Sequence, residues 1–279
     1  MTEEKLPLSS LPEYNMPNFL NLFLPYNIIP LIVYSLIFRL ARQYVKTHFW
    51  LKFEGFKRYR LQNLTICWAH AVVVGLGDLV LMFSHPHEIF HEVIEWYDPI
   101  AAQLPLISVA YFFQDAIDML MYEWSSYTLE LLLHHFATCA ALVCPGVTGR
   151  FTLAAGWALL MEVNSIFLHA RTILQICGLN TQFPGVFRFV VYSNIISFFF
   201  FRIVSQLLWT HWAIYNVPGL HWYFEMIGLL GPVVFGCING LLFMRLLASD
   251  GFLPESLRAK FMVTRDKNDD QDKEKKKTT

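Results

Sequence analysis

Val109–Leu142, VAYFFQDAIDMLMYEWSSYTLELLLHHFATCAAL, reads as two apolar helices joined by a short polar turn. Each helix carries ionisable residues where a lipid-facing surface would forbid them. Asp115 and Asp118 stand in the first, and the pair His134 and His135 in the second. An ionisable group at the bilayer centre costs about 2.5–3.5 kcal/mol on insertion scales, so it normally faces a bundle interior and has a partner there. Asp115 and Asp118 are three residues apart and share a helix face, with Gln114 adjoining; Glu130 and His134 are four apart and can pair. This helix pair is the candidate working centre.

The whole chain supports a membrane setting. Of its 279 residues, 55% are hydrophobic and 15% charged, against about 25% charged in soluble domains. A net charge of −1 points to no nucleic-acid partner. Cys67, Cys139, Cys144, Cys177 and Cys237 are scattered through apolar segments without paired spacing and read as small buried hydrophobes.

Seven apolar runs are long enough to span, since about 20 residues cover the hydrocarbon core. Residues 1–18, with Pro7, Pro12 and Pro17, read as a disordered tail. The first span is Phe19–Leu40, kinked at Pro25 and Pro30, and it lacks the basic start and cleavage site of a signal peptide. The others are Leu61–Phe83, Gln103–Met121, Tyr127–Val143, Phe151–Ile176, Phe187–Trp209 and Trp222–Leu247, followed by a disordered basic tail over 252–279. Tryptophans near span ends, among them Trp50, Trp124 and Trp212, suit interfacial belts. The 41–60 segment and the C-terminal tail are rich in Lys and Arg, whereas 84–102 and 210–221 contain neither. Basic residues gather on the cytoplasmic side, which gives an outside N-terminus and a cytosolic C-terminus. The expected fold is therefore all-α and polytopic.

Further polar residues fall inside these spans. The second holds His70 and Asp78. In the fifth, Glu162, Ser165 and His169 share a face beside Asn164. The sixth holds Asn194, Arg202 and Gln206, and the seventh Asn239. As a set they can line a cavity that holds a lipid headgroup or activates an acyl bond. The plainer reading is pairing across helices, worth about 0.6 kcal/mol per hydrogen bond.

Two metal readings do not hold. His87-Glu88-Ile89-Phe90-His91 matches the H-E-x-x-H zinc signature but has no third ligand at a fixed spacing. It reads as a short surface helix with Ile89, Phe90, Val93 and Ile94 on lipid. A di-iron site would need that pair and His134–His135 at one depth, and the topology places them on opposite sides of the core. No metal or other cofactor is expected. The run Lys273-Glu274-Lys275-Lys276-Lys277 reads as a solvated end that can also attract anionic lipid.

Tyr111-Phe112-Phe113-Gln114-Asp115, followed by Glu130-Leu131-Leu132-Leu133-His134-His135, resembles the centre of the TLC domain. That domain is shared by ceramide synthases and translocating-chain-associating membrane proteins. Tyr59–His70 (YRLQNLTICWAH) resembles its start, and the resemblance covers residues 54–251. It implies one preceding helix plus a six-helix TLC bundle. Leu160–Leu168 (LMEVNSIFL) with Arg171 most resembles the small branch linked to plasma-membrane fluidity. That resemblance implies a multi-pass plasma-membrane protein, with the endoplasmic reticulum as the alternative. It also implies a function of limiting long-chain polyunsaturated acyl chains in phospholipids, and so promoting rigidity. Ceramide synthases continue from the His pair to a downstream His-Asp and a second Asp. Met161 and Glu162 occupy the first position here, and Ser165 the second, so half of an acyl-transfer apparatus is altered.

The site candidates are His134, His135, Asp115, Asp118 and Glu162 for any catalysis. His70, Asp78, Gln114, Asn164, Ser165, His169 and Arg202 are candidates for a lipid cavity. Membrane phospholipids are the expected partners, with lipid-remodelling enzymes as further ones. An acyltransferase or acyl-hydrolase using the His pair is the alternative function, and a non-catalytic scaffold the second.

Overall fold

Lipid offers backbone amides no partner, so an apolar stretch that crosses it satisfies its own hydrogen bonds as a helix. In the structure, a computed structural model describing residues 15–122, 126–258 and 260–261, seven helices are long and apolar enough to cross a membrane. They are Pro25–His48, Gly55–Ser84, Gln103–Tyr122, Leu131–Thr148, Thr152–Ile176, Pro184–Asn216 and Trp222–Ser249, here called spans one to seven. Among the described residues there is no strand. Residues 1–14, Trp124, the side chain of Glu130 and residues 262–279 with the Lys-rich run lie outside the described residues. The expected Glu130–His134 pair therefore lies outside them too.

Several boundaries differ from the sequence reading. Phe19–Phe23 is a separate 3₁₀ turn in which the Leu20 amide donates to the Asn18 side chain, and span one begins at Pro25. Proline suits the first helical position because its missing N–H would be unsatisfied there anyway. The same helix continues through Arg42 and Lys46 to His48, so only 49–54 is left as the connecting loop. Span five is built from Thr152–Leu159 and Met161–Ile176, meeting at Leu160. Span six extends to Asn216, and 210–216 is helix rather than loop. The H-E-x-x-H segment forms a helix of only four residues, Glu88–His91. Val93 is 2% exposed, while Ile89 and Ile94 pack on core clusters. Phe90, 51% exposed, is the strongly exposed member of the four residues expected on lipid.

Residues up to Val233 form one compact unit, and residues from Val234 another. The second is the C-terminal part of span seven followed by a turn at Gly251, whose φ of +79° suits glycine. In the first unit, spans two and five touch backbone to backbone. A Cβ on Gly75 would lie 2.9 Å from Val163 N and 3.0 Å from Glu162 C. The adjoining core joins Cys67, Val74, Tyr111, Phe112, Leu142 and Leu159.

The loops sort to two ends. Lys52 and Lys57 act on the Cys177 thiol, which burial raises above its ordinary range and the two ammoniums pull down. The 49–54 loop and the turn after span five therefore share one end. At the other end Phe151 N donates to Ile94 O at 2.8 Å, and Trp157 Nε1 to Ile89 O at 3.1 Å. That second end carries the acidic 85–102 segment, with Arg150 in the adjacent turn.

Candidate functional site

Span three brings its two aspartates to different partners. Asp118 forms an ion pair with Arg42 of span one, and both side chains are about nine-tenths buried. Its backbone carbonyl accepts from Tyr59 Oη at 3.4 Å. Asp115 accepts from Asn63 Nδ2 of span two at 3.2 Å and faces His135 Nε2 of span four at 3.7 Å. Removing two charges from water is expensive, and mutual attraction offsets it only when hydrogen bonds satisfy the remaining lone pairs. Asn63 serves that role for Asp115. Arg42, Gln114, Asp115 and Asp118 border a cleft with about 10 Å³ of water-sized space, the room of roughly one water molecule.

A second imidazole–carboxylate pair lies deeper. His70 Nδ1 is 3.8 Å from Glu162 Oε2, and His70 Nε2 is 3.2 Å from Ser108 Oγ. Ser108 gives its own proton to Leu104 O, so its oxygen accepts from His70 Nε2–H. This assigns the tautomer by its hydrogen bond. Nδ1 then faces Glu162 Oε2 across 3.8 Å, beyond direct hydrogen-bond length. Tyr111 stacks on the His70 ring at 3.9 Å and 15°. Phe112 contacts both His70 and His135, at 5.4 and 4.8 Å. The two pairs are thus joined by aromatic side chains from one helix turn.

Arg202 anchors a third group. Its Nε donates to Asn164 Oδ1 at 2.7 Å and one terminal nitrogen to Ser165 Oγ at 3.0 Å. Asn164 Nδ2 in turn donates to Asn194 Oδ1, Asn194 O and Ser197 Oγ at 2.8–3.1 Å. Arg202 lies within a π-helical segment, Phe199–Val204. Eight residues along an unbroken α-helix would leave Arg202 about 80° away from Asn194. The wider turn takes up that difference and lets both residues reach Asn164. Arg202 is close enough to act electrostatically on Glu162, His134 and His169, so the groups adjoin.

The expected residues therefore divide. His70, Asp115, His135 and Glu162 are paired across helices; Asn164, Ser165 and Arg202 form the adjoining network. His134 sits beside His135 with ring centroids 5.8 Å apart, and His169 is partly buried near Arg202. Asp118 turns to Arg42, and Gln114 borders that cleft. Asp78 stands apart: it is fully buried, and neither carboxyl oxygen has a hydrogen-bond partner among the described residues. One oxygen lies 3.0 Å from where a Cβ on Gly156 would be. Arg42, Asn63, Ser108 and Ser197 were not singled out from sequence. By composition Arg42 belongs to a basic loop, and the shared face of Asn63 and Asp115 depends on how two helices are rotated.

The TLC domain family profile matches residues 60–248. The chain is 32% identical over 203 residues to TLC domain-containing protein 1 of Gallus gallus, covering 70% of this chain and 75% of that one. It is 27% identical over 212 residues to TLC domain-containing protein 2 of Danio rerio, covering 76% and 85%. It is 27% identical to TLC domain-containing protein 1 of Homo sapiens, covering 74% and 81%. No solved structure matches the chain.

Proposed function

The chain belongs to the TLC domain family, and from that premise we propose that it regulates membrane phospholipid composition by holding part of a lipid at the buried polar cluster. The family is linked to lipid metabolism or sensing. Within that setting, the proposed role is to limit long-chain polyunsaturated acyl chains in phospholipids and so to stiffen the plasma membrane. In this reading the N-terminus is outside and the C-terminus cytosolic, because the basic end with Lys46, Lys52 and Lys57 would then face the cytosol.

One observation carries the reading. Asp115, His135, His70 and Glu162 come from four different spans and converge in pairs at 3.7 and 3.8 Å. Packing alone needs no titratable groups, and ionisable residues at membrane depth are costly enough to mark ligand pathways. The lipid side is close at hand, since Phe113, Leu133 and Phe136 are 66%, 54% and 75% exposed next to Asp115 and the His pair. The test is phospholipid profiling of cells lacking the protein and re-expressing it as the parent or as His134→Ala/His135→Ala. Restoration of the acyl profile by the parent alone supports the role. Equal restoration by the double variant, at equal surface expression, removes the cluster from it.

The same imidazole–carboxylate pairs favour a second reading, lipid acyl transfer or hydrolysis. A carboxylate that orients an imidazole is the arrangement by which a base or nucleophile is prepared. Purified protein incubated with radiolabelled acyl-CoA separates the two, because an adduct lost in His135→Ala belongs to the enzyme reading alone.

A further inference from the structure

A second cavity, of about 210 Å³, opens at the acidic end of the molecule. The cleft beside Arg42 has about 10 Å³ on the same measure. Four aromatic side chains border it, from three separate stretches of chain. Phe90 comes from the short helix after span two, Trp157 from span five, and Trp212 and Tyr215 from the end of span six. We propose that these four rings form a cage for the trimethylammonium group of a choline phospholipid. The site is distinct from the buried cluster and goes beyond the role proposed for it.

Aromatic faces attract cations through the ring quadrupole, most strongly for Trp, and quaternary ammonium groups are recognised in this way. The rings here are held in place. Trp157 Nε1 donates to Ile89 O at 3.1 Å, and Phe90 meets the Trp157 ring edge-on at 5.9 Å. Trp212 stacks on Trp209 at 5.0 Å, and Tyr215 packs edge-on against His211 at 5.2 Å. Tryptophans that only anchor a helix at an interface need share no cavity, whereas these border one volume together with Phe90 and Tyr215.

Charge complementarity selects the occupant. Neither 84–102 nor 210–221 contains Lys or Arg, while Glu88, Glu92, Glu95 and Asp98 lie in the first of them, near the cavity but not on its border. Arg150, in the neighbouring turn, does not border the cavity. His211 borders the cavity but no Lys or Arg does, so an anionic headgroup would meet no fixed cation there. A primary ammonium would leave its N–H donors facing ring carbons, whereas a trimethylammonium has no N–H to satisfy. Depth agrees: Trp212 is four residues from the end of its helix at Asn216, about 6 Å along the axis, where headgroups lie.

The test is native mass spectrometry of the purified full chain in detergent. The protein is offered an equimolar mixture of phosphatidylcholine, phosphatidylethanolamine and phosphatidylglycerol with identical acyl chains. The expected result is about tenfold preferential retention of phosphatidylcholine, the size of one or two favourable cation–π contacts. Trp212→Leu should bring that ratio close to one, and Trp212→Phe should keep most of it. Leu208→Trp, which fills the cavity without removing a ring, should abolish it. Three results would overturn the proposal: retention without headgroup preference, a preference unchanged in Leu208→Trp, or choline chloride binding as tightly as the lipid. The readout uses purified protein, so failure here is separate from failure of the role in cellular lipid composition.

Discussion

Replacing Arg42 with Leu should be among the most damaging single changes in the chain. The guanidinium and the Asp118 carboxylate are 11% and 8% exposed, so little water reaches either. Removing one member of a buried pair leaves the other charge uncompensated, and such changes cost about 3–5 kcal/mol. Arg42 also lies 6.0 Å from the Tyr122 ring centroid, a contact worth about 0.5–1 kcal/mol more. Asp118→Leu should cost a similar amount, because it strands the guanidinium instead. The double variant Arg42→Leu/Asp118→Leu strands nothing and should return to within about 1 kcal/mol of the parent or exceed it. The assay is unfolding in mixed micelles by SDS titration, followed by loss of helical circular dichroism. Lys46, one turn on and 5.4 Å from the same ring, is replaced by Ala in a parallel set so that it cannot take over the pairing. Single variants each costing under about 1 kcal/mol, with an additive double, would place the pair with exposed surface ion pairs and refute the reasoning.

Gly75→Ala should destabilise by about 1–3 kcal/mol. Its Cβ would meet Val163 N at 2.9 Å and Glu162 C at 3.0 Å, backbone atoms that cannot swing aside; a change under 0.5 kcal/mol in the same titration would mean the helices slide freely. Asp78→Leu should raise stability by about 1–3 kcal/mol, since it removes a buried carboxyl whose oxygens have no hydrogen-bond partner among the described residues. A loss of similar size would reveal a bound water or ion holding that carboxyl. For topology, single cysteines replacing Lys52 and Glu92 in a cysteine-free background should react differently with an impermeant maleimide in intact cells: Glu92→Cys labels and Lys52→Cys does not. Cys177, with a thiol held above its ordinary range by burial, should hold less thiolate at pH 8 than an exposed cysteine and alkylate more slowly. Lys52→Glu removes one of the ammoniums lowering that pKa, and should slow alkylation further.

The spans were legible because hydrocarbon imposes one simple demand, a long apolar helix, and the sequence states it directly. What was misread follows from partners that a linear string does not display. Phe19–Leu24 is apolar enough to pass for the start of span one, yet the helix begins at Pro25 and then carries Arg42 inward. Arg42 belongs in a helix interior only because Asp118 waits on span three, so from sequence it joined the basic loop. Spacing can suggest a pairing along one helix, whereas the pairing of His135 with Asp115 depends on how two helices are rotated. The π-helical segment at Phe199–Val204 leaves no compositional mark, although it turns Arg202 toward Asn164.

The closure of the polar cluster constrains how a lipid could use it. Asp115, His135, His70 and Glu162 are already engaged with one another, and the cleft beside Arg42 has room for about one water. A headgroup or acyl carbonyl arriving there exchanges one buried partner for another instead of filling an empty pocket. The net binding energy is then a difference between two similar terms, since unpaired buried groups are costly and paired ones are worth about 1 kcal/mol each. Occupancy under such a balance follows lipid concentration, which in a membrane is high, and needs no high affinity. Approach from the side, past the exposed Phe113, Leu133 and Phe136, keeps the acyl chains in hydrocarbon while only the polar group is exchanged. A site built this way favours a response graded with membrane composition, whereas tight capture of a scarce substrate would call for a preformed and empty cavity.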